Sequence, residues 1–402
     1  MSGYAPLRRP LLKAPYLLYQ LFAAFFRVPF WALLAIPRAW RPRKSWSWGR
    51  TMAVKAIRHL ELMQDKAGLL IPVPTHLALV SGIGYHGVWV EAVPQNCVIG
   101  KVAMWASGAG VSPVRLPGYW IHQPGSTIPL EAPLMPGEKV VYVLHGGAYT
   151  RLSAHPSALP ALVAKDLIQH VERVHRTFGI EYRLSTTTPY AAEHPFPTAL
   201  LDALTGYYYL VETLHISPAD IVVMGDSAGA NLAVALVRYL VENPIAALPP
   251  PGSLLLLSPW VDLGTSHDSP TSSLRAYKDS DFLIPPSSPP SNMIHYSILA
   301  FTGPLGLGAA DWNPYISPAS KYIADKDVSF ASFPRTFISA GGAEILIDSI
   351  RTLHTRMARD MGDRVRYLEA ADSVHDFLML PGVQEPQRGE TFAAIAEWIT
   401  EA

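Results

Sequence analysis

Five residues constrain this chain more than any others. Gly225, Asp226, Ser227, Ala228 and Gly229 follow the apolar run Ile221-Val222-Val223-Met224 and precede a helix-spaced stretch over 228–243. A serine with a glycine two residues away on each side, where a strand passes into a helix, sits in a tight turn. The turn strains the serine backbone and exposes its hydroxyl, and the glycines are required because a side chain would strike the neighbouring strand and helix. The pattern commits this part of the chain to a strand packed on a helix. By itself it leaves Ser227 either a nucleophile or a turn residue.

The rhythm around the turn extends the layer. Strand-type runs at 139–144, 179–183, 221–224, 253–257, 335–340 and 364–368 alternate with helical stretches at 158–175, 199–214, 228–243, 348–360 and 391–400. Such alternation predicts an α/β fold, a mostly parallel central sheet with helices on both faces. Two more strands are expected at 87–93 and 118–122. A helix over 45–68 precedes them, with Met52, Ala56, Leu60 and Met63 on one face. The rhythm breaks over about 263–333, which is rich in Ser, Pro and Gly (PPSSPPSN, FTGPLGLG) and reads as an insertion covering the core. The expected division is therefore a hydrophobic segment at 1–44, a cap helix with the first strands at 45–132, and a catalytic-sized core at 133–402. At 402 residues, one large domain with a cap fits the length.

Charge and cysteine content exclude some functions. Thirty-two basic residues balance 32 acidic ones, so nothing in the charge suits a nucleic-acid partner. Cys97 is the single cysteine and allows no intrachain disulfide, and no Asn-x-Ser/Thr acceptor occurs; both lean away from a secreted domain. The sequence has no Cys/His cluster, no His-Glu-x-x-His and no dinucleotide or phosphate-binding glycine pattern, so neither metal nor organic cofactor is expected.

Residues 16–36 (YLLYQLFAAFFRVPFWALLAI) are apolar except for Gln20 and Arg27. Twenty-one residues suit a bilayer span. Arg27 and Pro29 near the middle also admit two half-segments lying in the interface, and a helix packed on the protein's own apolar surface is the soluble alternative. Arg8, Arg9 and Lys13 precede the segment; Arg38, Arg41, Arg43 and Lys44 follow it. The expectation is membrane association, at the endoplasmic reticulum, with the heavier basic flank favouring a cytosol-facing body.

Four elements can carry chemistry. Ser227 is the candidate nucleophile, and the Ala228 amide at the start of the following helix is placed to hold an oxyanion. His145-Gly146-Gly147-Ala148-Tyr149 directly follows the strand KVVYVL, where small residues let the Gly146 and Gly147 amides face a substrate oxygen. His145 itself reads as structural, orienting that loop. His375 lies in a late loop, after the strand 364–368 and before the last helix, where a base can reach Ser227. The acid is expected at Glu344, which follows the strand 335–340 between serine and histidine in the chain. Asp348 is the fallback, and Asp372 and Asp376 flank the histidine.

Together these motifs resemble the hormone-sensitive-lipase-like family of α/β-hydrolases. HGGAY matches that family's HGGG-type motif and GDSAGAN its GDSAG motif. Further matches are Tyr182-Arg183-Leu184, Glu193-His194-Pro195-Phe196-Pro197, Ser258-Pro259-Trp260-Val261-Asp262 and the HDF at His375. The likeness runs from about Lys139 to the C-terminus. With its hydrophobic N-terminus the chain looks like the fungal steryl acetyl hydrolase branch. Three departures stand out: Ala148 for the third glycine, Glu344 for the usual Asp, and the extra residues 185–192. The resemblance implies an α/β-hydrolase fold in which Ser227, His375 and Glu344 cleave a short-acyl ester of a hydrophobic alcohol, such as a sterol or terpenoid. It also implies Gly146, Gly147 and Ala228 as the oxyanion hole. An acyltransferase built on the same machinery is the alternative. A non-catalytic binding protein is the third, disfavoured because the hormone receptor of this family lacks the histidine. Tyr149, Tyr190, Trp260 and Phe282 are candidate aromatics near the site.

Overall fold

A computed structural model describes residue 7, residues 9–68, residue 70, residues 86–285 and residues 293–401. Among these, eight strands form one sheet: β1 (His86–Val90), β2 (Leu116–His122), β3 (Val140–Leu144), β4 (Arg176–Ile180), β5 (Ile221–Asp226), β6 (Ser253–Leu257), β7 (Arg335–Gly341) and β8 (Val365–Ala370). Their lateral order is β1-β2-β4-β3-β5-β6-β7-β8. β2 runs antiparallel to both its neighbours, and the other pairs are parallel. The helices before β5 are α1 (Pro10–Leu34), α2 (Trp48–Ala67), α3 (Gly100–Ala109), α4 (Ala161–His170) and α5 (Thr198–Tyr208). After it come α6 (Ser227–Glu242), the short α7 (Ser273–Ala276), α8 (Met293–Thr302), α9 (Gly308–Trp312), α10 (Ile347–Met361) and α11 (Gln387–Thr400).

β3, β4, β5 and β6 are buried along their whole length. They read as unbroken apolar runs because helices cover both faces of the sheet. Alternation survives within the burial. Val140, Tyr142 and Leu144 join the core shared with α5, α6 and α10, whereas Val141 and Val143 join the one shared with α4 and α11. Truncating a residue such as Leu256 or Ile338 to alanine there would cost about 2–5 kcal/mol.

Two expected elements shift. The helix over 158–175 is confined to α4, and the strand over 179–183 begins three residues earlier, as β4. Val171 and Val174 leave the helix to pack in the core, which brings Arg176 and Thr177 into the sheet. Beyond β4, Tyr182 donates to the His145 carbonyl at 2.6 Å and Arg183 pairs with buried Asp202 at 2.7 Å, so neither is free to continue the strand.

The N-terminus departs further. α1 is one continuous helix through Pro15 and Pro29, in place of two half-segments. It is the one described helix long and apolar enough to cross a membrane, and only 6% of that apolar stretch is buried, so most of its apolar surface stays uncovered although it touches α2. Gln20 and Arg27 share a side: the Arg27 guanidinium donates to Gln20 and meets the His59 ring on α2. α2 forms as expected, with the Ser47 hydroxyl capping its start through the Arg50 amide at 3.0 Å. Its inward face is not the expected one. Ala56 and Leu60 are exposed, and Arg50, Val54, Ile57, Arg58, Glu61 and Asp65 point inward. The reason is that α2 lies on loops rather than on a sheet. Loops present carbonyls, and Arg50 takes those of Val383 and Glu385 while Arg58 takes those of Asp281 and Leu283.

Insertion 263–333 carries α7, α8 and α9, and its stretch 286–292 lies outside the described residues. Tyr149 stacks on Phe301 of α8 at 3.7 Å between ring centres and ties the insertion to the core.

Candidate active site

The sheet places the site at the carboxyl ends of its central strands. β5 ends at Asp226 and α6 begins at Ser227 with no linker, so Ser227 is held at a φ of 49°. That conformation costs a non-glycine residue about 1 kcal/mol or more. It is tolerable only because neighbouring backbones close in: a β-carbon on Gly225 would overlap the Gly229 carbonyl, and one on Gly229 would overlap that of Leu144. The serine is 9% exposed, at the floor of a cavity.

His375 arrives from the loop after β8. Its Nε2 lies 3.0 Å from Ser227 Oγ and its Nδ1 2.7 Å from Glu344 Oε2. Glu344 follows β7, is fully buried, and accepts the Gly341 amide on its other oxygen at 2.8 Å. The three residues expected to act together are thus joined by one chain of hydrogen bonds. Asp348 is not part of it. Its carboxylate accepts the Ser273 amide at 2.8 Å from the first turn of α10 and lines a separate polar depression with His267, Lys321 and Arg351. A glutamate reaches the imidazole from the turn, whereas Asp348 is already committed to the helix that follows.

The oxyanion loop corrects one expectation. The Gly146 amide donates to Asp226 Oδ2 at 2.9 Å and so faces away from the cavity. Gly147 and Ala148 line the cavity instead. Ala148 has a φ of 54°, a conformation that suits glycine, at the position where the resembling motif carries its third glycine. Gly147, at a φ of 103°, has no room for a β-carbon against the Arg151 carbonyl. Ala228 is buried in the first turn of α6, which leaves its amide without an intrahelical acceptor. The amides available to an oxyanion are therefore those of Gly147, Ala148 and Ala228. His145 is structural, as expected: its Nδ1 meets the Gly146 carbonyl at 2.7 Å, its ring stacks on Tyr182 at 4.1 Å, and burial pushes its pKa down to about 4.

Four carboxylates face His375. Besides Glu344, Asp376 Oδ2 lies 3.1 Å from Nε2, on the same nitrogen as the serine. Asp226 and Asp281 complete the set. Burial opposes charging of the imidazole, but Asp376 and Glu344 outweigh it and hold the His375 pKa well above the usual histidine range. Burial pushes Glu344 up to about 7, against its hydrogen bond to the imidazole, and it holds Asp226 well above the carboxylate range with help from the Asp376 charge. Asp376 flanks the histidine in the sequence; nothing in the sequence singles out Asp281.

The cavity above Ser227 measures about 670 Å3, within the range of small-molecule sites. Its walls are mainly apolar: Leu152, Leu159, Leu162, Trp260, Phe282, Leu283, Ile294 and Leu346. α2 adds Ile57, Glu61 and Gln64, and Glu61 pairs with Arg151 at 2.6 Å. Of the four candidate aromatics, Trp260 and Phe282 line the cavity. Tyr149 is buried in the core, bonded to Asn231 at 2.6 Å, and Tyr190 sits exposed on the extra loop.

The profile of the alpha/beta hydrolase fold family matches residues 140–379. An esterase from Acinetobacter venetianus is 28% identical over 292 residues, which cover 72% of this chain and 82% of that protein. An acetyl-hydrolase from Streptomyces hygroscopicus is 42% identical over 78 residues, 19% of this chain and 25% of that one. The crystal structure of a hormone-sensitive lipase from a metagenome library is similar at a TM-score of 0.54 and 26% identity, covering 71% of this chain and 82% of that chain.

Proposed function

The chain belongs to the alpha/beta hydrolase fold family, and on that premise we propose that it hydrolyses carboxylic esters of hydrophobic alcohols through an acyl-enzyme on Ser227. The observation that carries this reading is the unbroken relay from Glu344 through His375 to Ser227 at the floor of an apolar cavity. Ser227 Oγ attacks the ester carbonyl while His375 Nε2 takes its proton. The Gly147, Ala148 and Ala228 amides hold the oxyanion, each worth about 3 kcal/mol of transition-state stabilisation. Glu344 keeps the proton-bearing Nδ1 turned inward and stabilises the imidazolium. Collapse of the tetrahedral intermediate breaks the bond to the alcohol oxygen, which leaves with the proton from Nε2. Water then attacks the acyl-enzyme, gives its proton to Nε2 and releases the acid, and the proton returns to Ser227.

The acyl group is short, of acetyl type, and the alcohol is of sterol or terpenoid size. The Ala148 methyl where the family motif has glycine supports a narrow acyl side, and the broad apolar wall from Leu159 to Ile294 supports a bulky alcohol. This is the activity of the steryl acetyl hydrolase branch. The bare apolar surface of α1 and its basic flanks support attachment to the endoplasmic reticulum membrane, from which such substrates are drawn.

The test is acyl release from p-nitrophenyl acetate and from a steryl acetate by the wild type and Ser227→Ala. Steady turnover in water that the substitution abolishes supports the reading. A single burst of one equivalent, with turnover only after a sterol or terpenoid alcohol is added, makes the protein an acyltransferase. Absence of any burst from folded protein refutes the catalytic reading.

A further inference from the structure

Asp281 belongs to the insertion and is fully buried. Its Oδ1 accepts the His375 amide at 3.3 Å and the Phe282 amide at 2.8 Å; its Oδ2 accepts the Ile345 amide at 2.8 Å. Ile345 is the neighbour of Glu344. One carboxylate therefore spans two loops that arise from different strands, the one carrying the base and the one carrying the acid. Neighbouring residues tighten the same joint. Ser280 donates to the Ala343 carbonyl at 3.0 Å, and the Phe282 ring packs edge-on against the imidazole at 5.9 Å. From the other side Arg58 of α2 donates to the Asp281 and Leu283 carbonyls at 2.9 and 2.8 Å.

We propose that Asp281, held in place by Arg58, is a positioning residue for the His375–Glu344 pair and an electrostatic support for the imidazolium formed during turnover; this rests on the hydrolytic reading of Ser227 above. A purely structural tie between two amides needs no charge. Burying a carboxylate among amides is costly unless a positive charge appears beside it. Two positive charges can offset it here: the Arg58 guanidinium, which interacts with the Asp281 charge from α2, and the imidazolium, which appears only during turnover. The geometry also requires two acceptors. Asparagine offers one oxygen and one NH2 group, so it would turn a donor toward either the His375 or the Ile345 amide and break one of the two loop ties. The arrangement makes the insertion and α2 working parts of the catalytic machinery rather than only a roof over the cavity.

The experiment compares Asp281→Asn, Asp281→Glu, Arg58→Met and Ser227→Ala with the wild type, measuring kcat, KM, the pH profile and Tm on p-nitrophenyl acetate. Asp281→Asn is expected to lower kcat by about 10²-fold, the scale of a catalytic group displaced by an ångström, with KM little changed. His375 faces the carboxylates of Asp226, Asp281, Glu344 and Asp376. Removing one of these charges favours the neutral imidazole, so the acid limb of the kcat profile should move to lower pH. Asp281→Glu should restore the position of that limb. Arg58→Met keeps the carboxylate and loosens only its backbone, so it should lower kcat by less, about 10-fold. Wild-type kcat and acid limb in Asp281→Asn would overturn the proposal. So would a fall in kcat that tracks a lower Tm with no movement of the limb. If Asp281→Asn does not fold, an unchanged kcat in folded Arg58→Met overturns the part assigned to Arg58, and an acid limb in Asp281→Glu that moves as far as loss of the charge requires overturns the part assigned to Asp281. Hydrolysis that persists in Ser227→Ala would instead refute the hydrolytic reading itself, whatever Asp281 does.

Discussion

The turn at Ser227 and the helix α1 are both apolar in sequence and opposite in structure. Around Ser227 every neighbour is fixed. The strand ends, the glycine contacts and the loop of Gly147 close in around the serine, and its hydroxyl lies 3.0 Å from His375 Nε2. Along α1, Leu21, Phe22, Phe25 and Phe26 are exposed, and the helix meets α2 through Arg27 and Trp31, which both contact His59, and through the Ala32 carbonyl, which accepts the Trp48 indole N–H at 3.0 Å. The sheet buries apolar side chains to hold a site still. α1 keeps its apolar side chains outward, as a helix does whose partner is a lipid or another apolar surface. The linker between the two regions is not slack: Trp46 donates to the Asp372 carbonyl at 2.6 Å, three residues before His375, and Ser45 bonds the Asp372 carboxylate.

The contrast can be broken at its rigid end first. Ser227→Ala should lower kcat by about 10⁴-fold or more, measured as acyl release under single-turnover and steady-state conditions. Gly147→Ala should cost about 10²–10³-fold in kcat, because its methyl group displaces the loop that presents two oxyanion amides. A Gly147→Ala enzyme of full activity would show that the loop is less constrained than the turn. Asp376→Asn tests the charges. A carboxylate beside Nε2 favours the imidazolium and raises its pKa, and the reaction needs the neutral base. Activity in the wild type should therefore rise with pH through a value above the ordinary histidine range, and in Asp376→Asn the limb should move to lower pH. A profile that stays in place would remove Asp376 from the electrostatics of the site.

The other end of the contrast is tested by the chain lacking residues 1–35. It should keep turnover of p-nitrophenyl acetate and lose co-sedimentation with phosphatidylcholine–phosphatidylserine vesicles. Loss of turnover would show that α1 is part of the rigid region. The smallest effect is expected at Ala148. Glycine relieves its φ of 54°, so Ala148→Gly should stabilise the protein by about 0.5–1 kcal/mol and raise Tm by about 1–3 °C.

Much of the site is legible from residue order. Ser227, Glu344 and His375 each follow a strand-type run, and a parallel sheet brings the ends of its strands to one edge. The oxyanion loop was legible only as a segment. Which of its amides faces the cavity depends on one torsion and on the Asp226 carboxylate, which claims Gly146, and neither is a property of the HGGAY string. The inward face of α2 escapes the sequence for a similar reason. Helical spacing identifies an inward face when a hydrophobic core is the partner, whereas α2 lies on loop carbonyls that arginines satisfy. Asp281 was illegible because its partners, at 345 and 375, are brought to it only by the closed fold.

By itself the sequence determined the layer architecture, the nucleophile turn and the order of acid and base, because these follow from local hydrophobic period and from backbone sterics within a few residues. Only the tertiary structure decided which amides meet the oxyanion, how many carboxylates share one imidazole, and that α1 leaves most of its apolar surface uncovered while α2 forms a wall of the cavity. Those outcomes depend on which polar groups are left unpaired when distant segments meet, and that balance is struck only in the packed molecule.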